Sequence, residues 1–199
     1  MGTQSLSPQE RLDMIERLVQ EARRSFIYTG YPSVVWGTLV PVGVVLTYLL
    51  VGRASYGLIG PLWLGVFVVG FMLVARYYAL IRRRQKKSVL VERMFGHLWL
   101  FILGLCFCIG MFSWLFPARL SLPQLLCCIS LLVATGYWVS SVLTAYVLLK
   151  VVAGAWVVQA FMVFWIPSCW ASLSMGIWAF LFEAVPGLYL YVKERKQFR

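Results

Sequence analysis

The chain alternates long apolar stretches with short polar connectors. Six stretches are long enough to cross a bilayer, because a spanning helix needs about 20 apolar residues. They cover residues 33–51, 58–81, 97–116, 122–148, 151–170 and 173–191. The pattern therefore predicts an all-α polytopic membrane protein, in which a six-transmembrane-helix bundle over residues 31–192 follows an amino-terminal segment and precedes a basic tail at residues 193–199.

The connectors between the stretches are short and rich in turn residues. Residues 52–57, 117–121 and 167–169 contain Gly, Pro or Ser, which favour turns. The boundary between the fourth and fifth spans is the weakest, since only Lys150 interrupts the apolar run there. That run is too long for one span. We therefore expect two helices joined by a tight turn at residues 149–154.

The first thirty residues contain the pattern of an amphipathic helix. Ser7-Pro8-Gln9-Glu10 matches a capping box with proline at the first helical position. Apolar side chains then recur at helical spacing, at Leu12, Ile15, Leu18, Val19, Ala22 and Phe26. We expect a helix on the cytoplasmic leaflet. The alternative is that residues 8–26 dock a protein partner or a second copy of the chain.

The connector after the second span is strongly basic. Its cations are Arg82, Arg83, Arg84, Lys86 and Lys87. Basic loops beside membrane spans stay cytoplasmic, so this loop predicts cytoplasmic amino and carboxyl termini. The other cations near span ends agree, since only Arg53 and Arg119 fall outside. We expect the loop to contact anionic lipid headgroups or a partner.

Composition supports a membrane location. Hydrophobic residues make up 61% of the chain and charged residues 13%, against about 45–50% and about 25% in soluble domains. The net charge is +11, but the cations flank membrane spans, so we expect no nucleic-acid partner. The first long apolar run starts only near Tyr31, which predicts no cleavable signal peptide.

Glu183 is the most informative polar residue inside a predicted span. It precedes Lys193 by ten residues, which places it roughly 15 Å deep in the membrane. A carboxyl group at that depth is protonated, paired or exposed to water. Pro186 removes a helical hydrogen bond nearby, and a carboxyl beside a broken turn is typical of ion or substrate sites. The alternative is a protonated side chain that packs across a helix interface.

Two residues could pair with Glu183. Gln159 lies near the middle of the antiparallel fifth span, so the two side chains meet if their faces agree. Arg76 lies about one and a half turns above the basic loop. Its long side chain is more often expected to extend to the cytoplasmic interface.

Sequence motifs for catalysis or metal binding are absent. The chain has one histidine, no His-Glu-x-x-His, no Gly-x-Ser-x-Gly, no phosphate-binding glycine loop and no Cys-x-x-Cys. Cys106 and Cys108 would lie about 200° apart on a helix, which disfavours a metal clamp. We therefore predict that the protein is not an enzyme and that it holds no metal and no cofactor.

Several short motifs resemble those of a known group of proteins. They are Glu21-Ala22-Arg23-Arg24-Ser25-Phe26, Trp36-Gly37, the basic loop and Val185-Pro186-Gly187. This pattern is similar to that of a family of uncharacterised six-span bacterial membrane proteins, often from the Bacteroidetes. The resemblance implies a location in the bacterial inner membrane and carries no activity with it. No proline follows Lys150, which departs from the family pattern.

Two functions fit these features. The first is association with a protein partner or with itself, through the amino-terminal helix and the basic loop. The second is a small transporter or channel with Glu183 in its pathway. An enzyme acting on lipids is a third and less favoured reading.

Overall fold

The chain is described by a computed structural model that covers residues 7, 9, 10, 12–14, 16, 30–84 and 90–197. Regular secondary structure in these residues is entirely helical, which confirms the all-α part of the predicted fold class. The helices are α1 (Gly30–Gly52), α2 (Ile59–Arg84), α3 (Leu90–Leu115), α4 (Leu122–Thr144), α5 (Val147–Met162), α6 (Ser168–Ala179) and α7 (Val185–Gln197). A 3-10 turn (Tyr56–Leu58) precedes α2, and a π-helical segment (Phe180–Ala184) joins α6 to α7.

Five helical stretches are long and apolar enough to cross a membrane. Four of them lie in α1, α2, α3 and α4, and the fifth runs from Trp170 to Val192 through α6, the π-helical segment and α7. These helices indicate a membrane protein. The fifth predicted span, residues 151–170, is not confirmed as a membrane span, because α5 has 16 residues. A helix of that length measures about 24 Å, which is less than the hydrocarbon thickness of about 30 Å.

The turn between the fourth and fifth predicted spans was wrongly placed. Helix α4 ends at Thr144, where Ala145 adopts a left-handed conformation with φ of 53°. Helix α5 begins at Val147, so the predicted turn residues 149–154 are helical. Glycine or asparagine usually occupies a left-handed position after a helix. Alanine therefore gave the sequence no turn signal here.

The fifth predicted span, residues 151–170, also ends too late. Residues 163–166 form a turn, and Pro167 is the residue before the first turn of α6. Proline lacks a backbone N–H and disfavours a helical conformation in the residue before it. A continuous helix through this position is therefore costly, and the connector begins four residues earlier than predicted.

The capping box at the amino terminus is formed. The Ser7 backbone N–H donates to Glu10 Oε2 over 2.8 Å, and the Glu10 N–H donates to Ser7 Oγ over 3.3 Å. The described residues 9, 10, 12–14 and 16 are helical. Most of the predicted apolar face, at residues 15, 18, 19, 22 and 26, lies outside the described residues. The amphipathic helix therefore stays a prediction.

The stretch from Trp170 to Val192 is here called the last helical run. Helix α1 packs so closely against it that the two backbones are in contact. A methyl group added at Gly187 would lie 2.8 Å from the backbone nitrogen of Val34. One added at Gly37 would overlap the backbone of Ala184. Small residues permit this approach, which matters in lipid because close packing rather than the hydrophobic effect drives helix association there.

Tryptophan rings lie over glycines of neighbouring helices. This arrangement joins α1 to α2, α2 to α3 and α3 to α4. The pairs are Trp36 with Gly70, Trp114 with Gly60, and Trp99 with Gly136. Each glycine leaves the space that the indole ring fills, so these residues set the spacing of the first four helices.

Candidate functional site

A cavity of about 270 Å³ lies among the helices at one end of the bundle. Its walls come from the start of α1, the second half of α2, the first half of α3, the second half of α4, the start of α5 and the junction of α6 with α7. The cavity is therefore in the half of the bundle that carries the α2–α3 connection. Its volume is close to the lower limit of about 300 Å³ for ligand pockets, which suits a small molecule.

Glu183 contributes a carboxyl group to the cavity wall. Its side chain is only 7% exposed, and among the described residues it makes no hydrogen bond or ion pair. It lies close enough to Tyr137 and Cys106 to interact with them electrostatically. A buried carboxyl group without a partner is costly when ionised. A proton, a water molecule or a cation would therefore stabilise the Glu183 carboxyl group.

The backbone around Glu183 is π-helical. The Val185 N–H donates to the Phe180 carbonyl oxygen, five residues earlier. Pro186 follows directly and has no N–H, so the regular helical bond to the Phe182 carbonyl cannot form. Single π-helical turns of this kind often occur at functional sites. Here the turn holds Glu183 and Pro186 together at the cavity wall.

Aromatic side chains form much of the remaining wall. They are Trp36, Phe71, Tyr78, Phe95, Trp99, Tyr137 and Phe182. The rings of Trp99 and Tyr137 meet edge to face with centroids 4.9 Å apart. The Ser140 hydroxyl donates to the Gly136 carbonyl over 2.6 Å. The Ser140 hydroxyl is thus already engaged within its own helix.

The cavity reaches the surface of the bundle between α2 and α3. Three of its lining residues are exposed, namely Ala75 of α2 and Gly96 and Leu100 of α3. A methyl group added at Gly96 would meet no other atom within 4 Å, so this glycine borders open space. The cavity therefore opens sideways between two candidate membrane spans, and Glu183 lies on its buried wall.

Comparison of the chain with protein-family models, with curated proteins and with solved structures found no match. The resemblance to six-span bacterial proteins therefore stays a prediction, and the site is interpreted from its own geometry.

Gln159 is not brought to Glu183. It is fully buried, and its Nε2 donates to Ser174 Oγ over 3.2 Å, between α5 and α6. A second bond, from Trp178 Nε1 to the Ala155 carbonyl over 3.0 Å, fixes the same antiparallel register. This register places Glu183 level with the first turn of α5, about two and a half turns from Gln159. The predicted pair fails because the α4–α5 turn comes earlier than expected.

Arg76 is the predicted cationic residue whose side chain the structure describes. Arg76 is exposed and is not part of the cavity wall, so it does not pair with Glu183. Arg82, Arg83 and Arg84 form the end of α2. Lys86 and Lys87 lie outside the described residues. The predicted contact of these cations with lipid or a partner therefore stays a prediction.

Sequence reasoning missed the aromatic wall. Trp36, Trp99 and Tyr137 read as ordinary span residues because aromatic side chains are common in apolar helices. One signal was present in α4, where Tyr137, Ser140 and Thr144 recur at helical spacing. A stripe of polar groups within a span indicates a face that points into the bundle.

Proposed function

We propose that this chain is a multi-pass membrane protein that binds a small molecule in the cavity around Glu183, as a transporter does. The observation that carries the proposal is a buried carboxyl group, without a hydrogen-bond or ion-pair partner among the described residues, in the wall of a cavity. A carboxyl group within a membrane span costs free energy, and carboxyl groups found there commonly mark sites of binding or transport. The protein performs no chemical conversion in this proposal.

The topology proposed for it has six spans, with both termini and the basic loop in the cytoplasm of a bacterial inner membrane. The basic loop supports this orientation, since Arg82, Arg83 and Arg84 immediately follow the second span. In this orientation the cavity lies in the cytoplasmic half of the membrane. Reporter fusions at residues 87 and 119 test it: a cytoplasmic reporter is active at residue 87 and silent at residue 119. The reverse result would contradict the topology.

A ligand screen on the purified protein tests the binding function. A panel of cationic, anionic and neutral compounds of cavity size is added, and the melting temperature is followed, because a bound ligand stabilises the folded state. We expect at least one compound to stabilise the wild type. Gly96→Leu, which places a side chain at the opening, abolishes the shift.

The matched control is Gly110→Leu on the same helix. Gly110 also borders open space, but it does not line the cavity, so its variant retains the shift. A panel with no stabilising compound, or a shift that survives Gly96→Leu, would count against binding in this cavity.

A second candidate function is association through the amino-terminal segment. It is supported by Leu12 and Met14, which are helical and 60% and 49% exposed. Deletion of residues 1–26 would then abolish an oligomer or a co-purifying partner, as measured by native mass spectrometry. Leu12→Gln would weaken the same complex, and Asp13→Asn is the control. Unchanged assembly after the deletion would remove this candidate.

A further inference from the structure

We infer that the ligand of the cavity is a small organic cation, an amine or quaternary ammonium group attached to an apolar body. This inference rests on the proposed binding function and names the chemical class of its ligand. It combines the single carboxyl group of Glu183, the aromatic wall and the sideways opening between α2 and α3.

The charge of the ligand follows from Glu183. The carboxyl group is buried, and no hydrogen bond or ion pair neutralises it within the described residues. The exposed Arg76 does not line the cavity, and the described part of the lining includes no lysine or arginine. A ligand with one positive charge would pair with an ionised Glu183, whereas an anion would be repelled by it.

The aromatic wall favours an organic cation. Cations bind over the faces of Trp and Tyr within about 6 Å of the ring centre, and cages of such rings recognise quaternary ammonium groups. Trp36, Trp99 and Tyr137 line the same cavity as Glu183. These rings also provide apolar contact for the hydrocarbon part of the ligand.

An inorganic cation fits this wall poorly. Calcium takes six to eight oxygen ligands, and magnesium usually keeps several waters alongside one or two carboxylates. The described wall of the cavity offers one carboxyl group, that of Glu183, and its Ser140 hydroxyl is engaged in a hydrogen bond. No cluster of three or more His, Cys, Asp or Glu side chains occurs in the part of the chain that the structure describes.

The opening gives such a ligand a route from the membrane. Ala75, Gly96 and Leu100 are exposed residues of the described cavity wall, and all three are apolar or lack a side chain. An amphipathic amine that dissolves in the bilayer reaches them from the lipid. The apolar rim admits it, and the charged group then meets Glu183 on the buried wall.

A pair of compounds of the same shape tests the inference. Phenyltrimethylammonium and tert-butylbenzene differ only in the charged nitrogen that replaces a carbon atom. Their dissociation constants are measured from thermal shifts of the full chain in maltoside micelles, which contain no competing ammonium headgroup. We expect the cation to bind at least about tenfold more tightly than its neutral analogue, as cation–π contact with a desolvated ring and charge pairing together would require.

Glu183→Gln should remove that difference while leaving the neutral compound unaffected. Gly96→Leu should weaken both compounds, and Gly110→Leu neither. If Glu183→Gln does not fold, the comparison of the two compounds on the wild type and on the Gly96 and Gly110 variants still tests the inference.

The outcomes separate the inference from the proposed function. Equal binding of the two compounds, or cation binding that Glu183→Gln leaves unchanged, overturns the inference but leaves a cavity that binds ligands. If neither compound binds to the wild type, the inference is overturned as well. The proposed function then stands or falls on the wider panel and its Gly96→Leu result.

Discussion

The seam between α1 and the last helical run should not tolerate a single methyl group. In Gly187→Ala, the new Cβ atom would lie 2.8 Å from the Val34 backbone nitrogen and 2.8 Å from Ser33 Cβ, whereas ordinary contacts measure 3.4–4 Å. The backbone nitrogen cannot rotate away as a flexible side chain would. The two helices must therefore separate locally by at least about 0.6 Å, a gap that forfeits roughly a quarter to a half of the dispersion energy of the affected contacts.

The expected cost follows from two opposing effects. Overpacking of a tight interface costs about 1–3 kcal/mol, while alanine in place of glycine stabilises a helix by about 1 kcal/mol. Gly110→Ala is the matched control, because it gains the same helix propensity and its methyl group meets no atom within 4 Å. The free energy of unfolding of Gly187→Ala should therefore be about 1–3 kcal/mol below that of Gly110→Ala.

Thermal unfolding in detergent, followed by intrinsic tryptophan fluorescence, measures this difference. For a chain of this length, each kcal/mol corresponds to roughly 2–4 °C in Tm. Gly37→Ala should behave as Gly187→Ala does, since its methyl group overlaps the Ala184 backbone. Equal melting temperatures for Gly187→Ala and Gly110→Ala would show that the helices are not in backbone contact.

Three other changes test the remaining contacts. Trp63→Phe removes the indole bond to Thr47 Oγ1, which measures 3.1 Å, and should lower the free energy of unfolding by about 0.5–1.5 kcal/mol; an unchanged Tm refutes the contact. Gln159→Leu should be neutral or stabilising, because the buried Gln159 Oε1 has no hydrogen-bond partner within the described residues; a loss above about 2 kcal/mol contradicts this. The Ser7 backbone N–H, as the larger cause, and the Ser7 hydroxyl hold the pKa of Glu10 below its usual value. The bonds between Ser7 and Glu10 therefore stabilise the folded state above pH 4.5. This stabilisation is lost as the pH falls through the lowered pKa of Glu10. An NMR titration should show a higher Glu10 pKa in Ser7→Ala, which loses the hydroxyl but keeps the backbone N–H, and an identical pKa excludes the contribution of the hydroxyl.

Apolar run length was enough to predict most of the fold. Helices α1 to α4 and the last helical run follow from five apolar stretches bounded by Gly, Pro or charged residues. The α4–α5 turn was missed because Ala145 and Tyr146 carry no turn signal and a left-handed alanine is uncommon. The turn begins at Ala145 rather than at residue 149, so α5 also begins earlier than predicted and the depth predicted for Gln159 is wrong.

The candidate site was predictable only in part. Glu183 and Pro186 are conspicuous because a carboxyl group and a proline are unusual within a span. The cavity itself is formed by residues from six separate parts of the chain, and their convergence depends on helix rotation and register. Neither is encoded in the apolar pattern of a single span. Trp36, Trp99 and Tyr137 could therefore not be assigned to one wall from the sequence.

The tryptophans that lie over glycines give each helix interface its own optical signal. Indole fluorescence responds to its surroundings, so an indole that leaves its glycine reports the opening of that one pair of helices. Local opening precedes global unfolding where packing is sparse, and α2 and α3 share few contacts. Each of these tryptophans can be followed in a variant that retains it and lacks the other two. The fluorescence of Trp114, which lies over Gly60, should then change at a lower temperature than that of Trp36 or Trp99, because α2 and α3 separate before the other helix pairs do.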